Sequence, residues 1–279
     1  MKKLALSSLV AVFAVSAANA GVIDGNPLYM PKAGHFYSLT GVETATSNVD
    51  AMTIGEEFGY GITDRFTAKI ATSISQEDWF KDANWDVAQL GLTYRVINDV
   101  NWKLDAVAEY GFGPMLYNDG QHTRFFEGSF LNKDHTQYLW TVGVRGGYVG
   151  HDFTVAGHMM MDYMNSESFN WDENKWDADN DVYTGLHILR VGIDGQLLLN
   201  QNWNLVSGAE YTKLMDHYSD KATVGSWELT FGANYNFDAT KFIGAYITKD
   251  IEHVPVAGND GNWEVQDGFG FGAKFGIDF

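Results

Sequence analysis

The chain has 279 residues, with 18 Lys and Arg against 36 Asp and Glu, a net charge of −18 at pH 7 and no cysteine. That charge excludes nucleic acid as a partner, because a phosphate backbone demands a basic footprint, and the absence of cysteine excludes disulfide frameworks and thiolate metal sites. Aromatic residues make up 15% of the sequence, yet beyond the N-terminus no apolar run reaches the roughly 18 residues of a transmembrane helix.

The first 20 residues read as a signal peptide. Lys2 and Lys3 form a positive start, Leu4 to Ala18 an apolar stretch, and Ala18-Asn19-Ala20 a small-residue cleavage site. Residues 21–33, with Pro27 and Pro31, precede the first strand and read as an N-terminal periplasmic lead, with insertion into a lumen as the other possibility. Residues 34–279 carry no linker or break in composition and read as one domain.

Along that domain the apolar residues alternate with polar ones. The clearest run is Trp102 to Phe112, where Trp102, Leu104, Ala106, Ala108, Tyr110 and Phe112 share one face and Lys103, Asp105 and Glu109 the other. Runs of the same kind start near Phe66, Ala88, Tyr138, Phe153, Trp227 and Phe269. Strands apolar on one face, with aromatics near their ends, are what a lipid-facing barrel requires, and such a sheet must close because lipid offers its backbone no hydrogen bonds. Short links at 63–65, 98–101, 150–151, 200–202 and 238–240 alternate with longer ones near 46–50, 77–84, 114–135, 165–182, 216–225 and 252–263. The expected fold is all-β: a single antiparallel transmembrane β-barrel of about 12 strands, with 10 or 14 also possible. Glu56 and His187 fall on the lipid face by simple parity, and a β-bulge near each is expected to restore them.

The C-terminal run FGFGAKFGIDF, with Phe271, Phe275, Ile277 and Phe279 at alternate positions, resembles the terminal strand that bacterial outer-membrane barrels present to their assembly machinery. The stretch EEFGYGITDRFTAKIATS is similar to transport barrels associated with aromatic-compound degradation. The resemblance implies a Gram-negative outer-membrane location, with outer-membrane lipids and the barrel assembly machinery as partners.

Parity also assigns the interior. Glu57, Glu109, Asp162, Glu210 and Glu228 are the expected acidic lumen residues, Lys69, Arg95, Lys103, Arg145, Arg190 and Lys274 the basic ones, and Asp105, His158 and Asp194 face the same way. Placed by depth, Lys69, Arg95, Lys103, Arg145 and Lys274 form a basic periplasmic belt, and Glu109, Asp162, Glu210 and Glu228 an acidic extracellular mouth. A lumen of this size and charge suits passive diffusion of small polar or charged solutes through a porin-like channel. A non-conducting barrel with adhesive loops is the alternative.

The loop 165–182 is strongly acidic, and Asp177, Asp179 and Asp181 alternate in it as a weak Ca²⁺ pattern without the glycine and terminal Glu of an EF-hand. Its Phe169, Trp171 and Trp176, and Tyr117, Phe125, Phe126 and Phe130 of the preceding long loop, suit bracing or stacking. His158 with Asp162, and the pairs Asp134-His135 and Asp216-His217, are the candidates for acid-base chemistry. His158 and Asp162 stand roughly 13 Å apart along a strand, and there is no G-x-S-x-G elbow or H-E-x-x-H motif. The sequence therefore points away from an enzyme and from any cofactor.

Overall fold

The computed structural model describes residues 26–45, 48–76, 84–114, 136–166, 169–170, 175–176, 184–215, 225–255 and 263–279. All the regular structure in these residues is β. The strands are β1 (Phe36–Ala45), β2 (Asn48–Thr63), β3 (Phe66–Gln76), β4 (Asn84–Asn98), β5 (Trp102–Pro114), β6 (Thr136–Val149), β7 (Phe153–Ser166), the two-residue β8 (Phe169–Asn170) and β9 (Lys175–Trp176), β10 (Thr184–Leu198), β11 (Trp203–Leu214), β12 (Gly225–Asp238), β13 (Lys241–Pro255) and β14 (Trp263–Asp278). Strands β8 and β9 pair only with each other, and the other 12 form a closed barrel in which each strand pairs antiparallel with its neighbours in sequence. The first strand closes against the last, from Tyr37 opposite Asp278 to Ala45 opposite Gly270.

Closure has a direct cause in the sequence. The outward residues of most strands are largely apolar, among them Phe58, Ile70, Leu90, Val142, Met159, Ile193, Phe231, Ile247 and Phe271, and a wall of this kind is stable only against lipid. No described helix is long and apolar enough to cross a membrane. Aromatic pairs band the wall at two levels. Near the short turns lie Phe36 against Tyr60 at 4.4 Å, Trp102 against Tyr148 at 5.4 Å and Trp203 against Tyr235 at 5.1 Å. Toward the other rim lie Tyr110 against Trp140 at 4.4 Å and Tyr211 against Trp227 at 5.0 Å. Amphipathic rings sit well at lipid-water boundaries, so the two bands mark the membrane's limits. Substituting Phe231→Arg, at the middle of β12's outer face, is expected to cost about 2–4 kcal/mol, read from urea unfolding of the refolded barrel; an unchanged midpoint would contradict the assigned outer face.

Two expectations about irregularities are corrected. The β1–β2 register runs unbroken from Phe36 opposite Tyr60 to Thr44 opposite Met52, so no bulge turns Glu56 inward. Glu56 stays on the outer wall, where its carboxylate accepts hydrogen bonds from Ser38 Oγ at 2.6 Å and Thr40 Oγ1 at 2.5 Å. Local hydroxyls thus satisfy a group that lipid cannot. His187 likewise remains outside, because β7 and β10 pair without interruption, and its ring lies 5.1 Å from that of Tyr163 in the aromatic band. The register shifts occur elsewhere, at Thr44/Ala45, Gly61/Thr63, Ser73/Ile74, Arg95/Ile97 and Asn236/Asp238.

The N-terminal lead also differs from a free periplasmic segment. Its described part folds into the barrel's short-turn end, with Leu28 buried to 2% exposure. Gly34, at φ +82°, takes the left-handed turn that glycine favours. Hydrogen bonds from Gly34 N to Gly61 O at 2.7 Å and from Ala33 N to Asp64 Oδ1 at 3.0 Å fix the turn against the first β-hairpin.

Candidate functional site: the charged lumen

Every expected lumen residue faces inward in the structure, opposite the apolar wall, and most are bound to one another. Asp105, with 0% of its surface exposed, receives Arg95 Nε at 2.8 Å and Arg95 Nη2 at 3.1 Å on one side. Arg145 Nε reaches it at 2.9 Å from the other. The three residues are direct cross-strand neighbours on β4, β5 and β6. Both guanidinium groups also hold the lead, Arg95 through the Leu28 carbonyl at 2.5 Å and Arg145 through the Tyr29 carbonyl at 3.2 Å. A cavity of about 30 Å³, room for about one water, remains between Met30 and Pro31 of the lead and Glu57, Lys69 and Arg145 of the wall.

A second group of contacts rests on glycines. Lys69 on β3 stands opposite Gly91 on β4, which stands opposite Glu109 on β5. A methyl at Gly91 would overlap the Lys69 side chain. The lysine therefore crosses β4 over the glycine and reaches Glu109 Oε1 at 2.7 Å, with Glu57 Oε2 at 3.1 Å on its other side. The same device recurs with His158, Gly192 and Glu210 on β7, β10 and β11. The imidazole lies over Gly192 and joins Glu210 through Nε2 at 2.8 Å, while Nδ1 meets Asp194 at 3.0 Å. Tyr246, Gly272 and Glu43 on β13, β14 and β1 repeat it once more, with Tyr246 Oη donating to Glu43 Oε2 at 3.0 Å.

The remaining cations follow suit with two exceptions. Arg190 binds Asp162 through Nε at 2.6 Å and Nη2 at 3.0 Å, and Thr141 Oγ1 donates to the same carboxylate at 2.6 Å. Lys103 is held at the β4–β5 turn by Asn98 Oδ1 at 2.8 Å and by the Asp99 carbonyl. Lys274 has no ion pair with any described residue; its Nζ lies 6.0 Å from the Phe242 ring and 5.9 Å from the Tyr246 ring.

These pairs alter the expected axial separation of charge. Lys69, assigned by chain position to a basic belt, touches Glu109, assigned to the acidic mouth. Strand tilt brings residues from different chain depths to one level, so positive and negative charges interleave on the β2–β10 wall. On the opposite wall Glu210, which His158 already holds, stands opposite Glu228 and Glu228 opposite Asp250, with no base between them. Glu43 and Asp250 were not foreseen as lumen residues. For Glu43 the segment FYSLTGVETA is polar on both faces, and only the burial of Tyr37 and Leu39 reveals which one is inside. Those two pack with Phe242 and the half-buried Tyr29 into an apolar cluster near the short-turn end.

Of the candidates for acid-base chemistry, His158 is the one among the described residues that meets carboxylates, though not the expected one. His158 pairs with Asp194 and Glu210 and not with Asp162. Asp134, His135, Asp216, His217, Asp177, Asp179, Asp181 and the aromatics Tyr117, Phe125, Phe126, Phe130 and Trp171 lie outside the described residues. Phe271, Phe275 and Ile277 line the outer face of β14, the strand that closes the barrel, and Phe279, just beyond it, exchanges backbone hydrogen bonds with Phe36 at 2.8 and 2.9 Å.

A closed up-and-down barrel with an apolar, aromatic-banded exterior and a charged interior is a transmembrane β-barrel of the outer-membrane kind. No protein-family profile and no curated protein matches the chain. Among solved structures it resembles an outer membrane channel from Pseudomonas putida F1, with TM-score 0.55 and 13% identity over 90% of this chain and 97% of that one. It is also similar to the translocator domain of the autotransporter NalP from Neisseria meningitidis, with TM-score 0.55 and 13% identity over 100% of this chain and 97% of that one. For the NanC porin the TM-score is 0.52, with 11% identity over 86% of this chain and 98% of that one. At these identities the likeness is one of fold.

Proposed function

We propose that the protein is an outer-membrane channel for passive diffusion of small polar solutes, with an acidic extracellular mouth and a periplasmic end narrowed by its own N-terminal lead. The observation that carries this reading is the inner wall. It bears charged and polar side chains from nearly every strand, and it keeps open space beside Gly41 and Gly268, where an added methyl would meet nothing within 4 Å. A barrel of 12 strands lies between the filled eight-stranded kind and the open 16-stranded porins, so a narrow path is expected. The porin and channel among its structural neighbours support the reading. Assembly by the barrel machinery through the β14 aromatics belongs to the same proposal, and the chemistry proposed is transport without a reaction.

Ion selectivity in planar bilayers tests it. Refolded protein beginning at Gly21 is expected to form small channels with a mild cation preference, set by Glu210, Glu228 and Asp250. Glu210→Gln with Glu228→Gln is expected to reduce that preference. Anion preference would overturn the acidic mouth. A second reading, a closed barrel that works through its loops, is favoured by the lead in the lumen and by the extensive ion pairing; a silent membrane at high protein load would establish it over the channel.

A further inference from the structure

Apart from Lys103 at its turn, every lumen cation but Lys274 has collapsed onto a carboxylate, directly or across a glycine. Lys274 on β14 has glycine on both sides, Gly41 on β1 and Gly244 on β13. The residues one strand further are Gly55 and Asn234, so neither row ends on an acid. An acid is nonetheless close. Glu43 stands opposite Gly272, two residues along from Lys274, a diagonal relation of roughly 7–8 Å between backbones.

Tyr246 keeps the two apart. Its ring lies on Gly272, its hydroxyl binds Glu43 at 3.0 Å, and its ring centre is 5.9 Å from Lys274 Nζ. Phe242 occupies the matching position over Gly276 on the other side of the lysine. Thr248 Oγ1 approaches Glu43 Oε1 at 3.5 Å and braces the acid further. The open space beside Gly41 lies next to both charges.

We infer that Lys274 and Glu43, held apart by Tyr246, form a dipolar binding site for a small zwitterionic solute in which ammonium and carboxylate are separated by a few carbons. The solute's carboxylate pairs with Lys274 Nζ and its ammonium with Glu43. Each end exchanges hydration for a charge-assisted hydrogen bond, and the preformed separation removes the cost of ordering the site. This rests on the channel reading and names its solute class.

The test compares three probes of one length, 4-aminobutyrate, butyrate and n-butylammonium, by calorimetric titration of the refolded protein in detergent at neutral pH. The zwitterion is expected to bind at least about tenfold tighter than either single-charge probe, the effect of one further charge-assisted hydrogen bond. Lys274→Met is expected to reduce 4-aminobutyrate to the level of butylammonium, and Glu43→Gln to that of butyrate. Equal binding of 4-aminobutyrate and butyrate would reduce the site to a carboxylate subsite and overturn the proposal, as would no binding of any probe to the wild type. Because binding is read without a membrane, a silent bilayer would defeat the channel while leaving this measurement decisive, and failure of the wild-type comparison would leave the conductance untouched.

Discussion

Substituting Asp105→Ala is expected to destabilise the barrel by about 3–5 kcal/mol, the cost of leaving buried charge without its partner. The magnitude follows from position. Asp105 is fully enclosed and neutralises two guanidiniums at once, so its loss strands Arg95 and Arg145 side by side as like charges. Urea unfolding of the refolded protein measures the effect. The triple replacement Arg95→Met, Asp105→Leu and Arg145→Met is expected to recover most of the loss, since an apolar cluster of similar volume needs no counter-charge. A midpoint unmoved by Asp105→Ala would mean that water in the lumen screens the triad.

Removing residues 21–32 from the mature chain is expected to raise single-channel conductance several-fold. The described part of the lead is held at the barrel's short-turn end by few contacts: two carbonyls on Arg95 and Arg145, the Tyr29 hydroxyl on Asp278 Oδ2 at 2.8 Å, the Tyr29 ring against Tyr37 and the buried Leu28. Both arginines keep Asp105 after its removal, so the barrel is expected to refold with an unchanged urea midpoint within about 1 kcal/mol. The remaining barrier is the apolar cluster of Tyr37, Leu39 and Phe242, and apolar constrictions gate by dewetting. Conductance equal to that of the complete chain would place the limiting constriction elsewhere.

The barrel was legible in the sequence because strand parity is a local property. From Trp102 to Phe112 each residue's face is decided by its neighbours, and the structure places those side chains accordingly. The pairing of the charges was not legible, because it depends on register across strands far apart in sequence. Nothing in the run around Lys69 indicates that Glu109 lies two strands away behind Gly91. Glu56 shows the limit of a rule applied without its neighbours. A carboxylate on a lipid wall suggested a bulge, whereas Ser38 and Thr40 on the adjacent strand supply the hydrogen bonds that make a bulge unnecessary. The lead was ambiguous for the same reason, since its partners Arg95 and Arg145 are distant in sequence.

The seam between β1 and β14 joins Phe36 to Phe279, nearly the whole length of the chain. Until the last strand is made, the first has a partner on one side only, and the growing sheet keeps two open edges able to pair with any other chain. Contacts of such sequence separation form slowly, because the entropy of bringing the ends together is lost before any bond repays it. Sealing the wall therefore requires the last strand to be present before the first can find its second partner. A translation product short by the five residues Phe275 to Phe279 would lose the pairs from Thr40–Phe275 to Tyr37–Asp278 and the Phe36–Phe279 bonds, and would hold its seam only from Gly41–Lys274 to Ala45–Gly270.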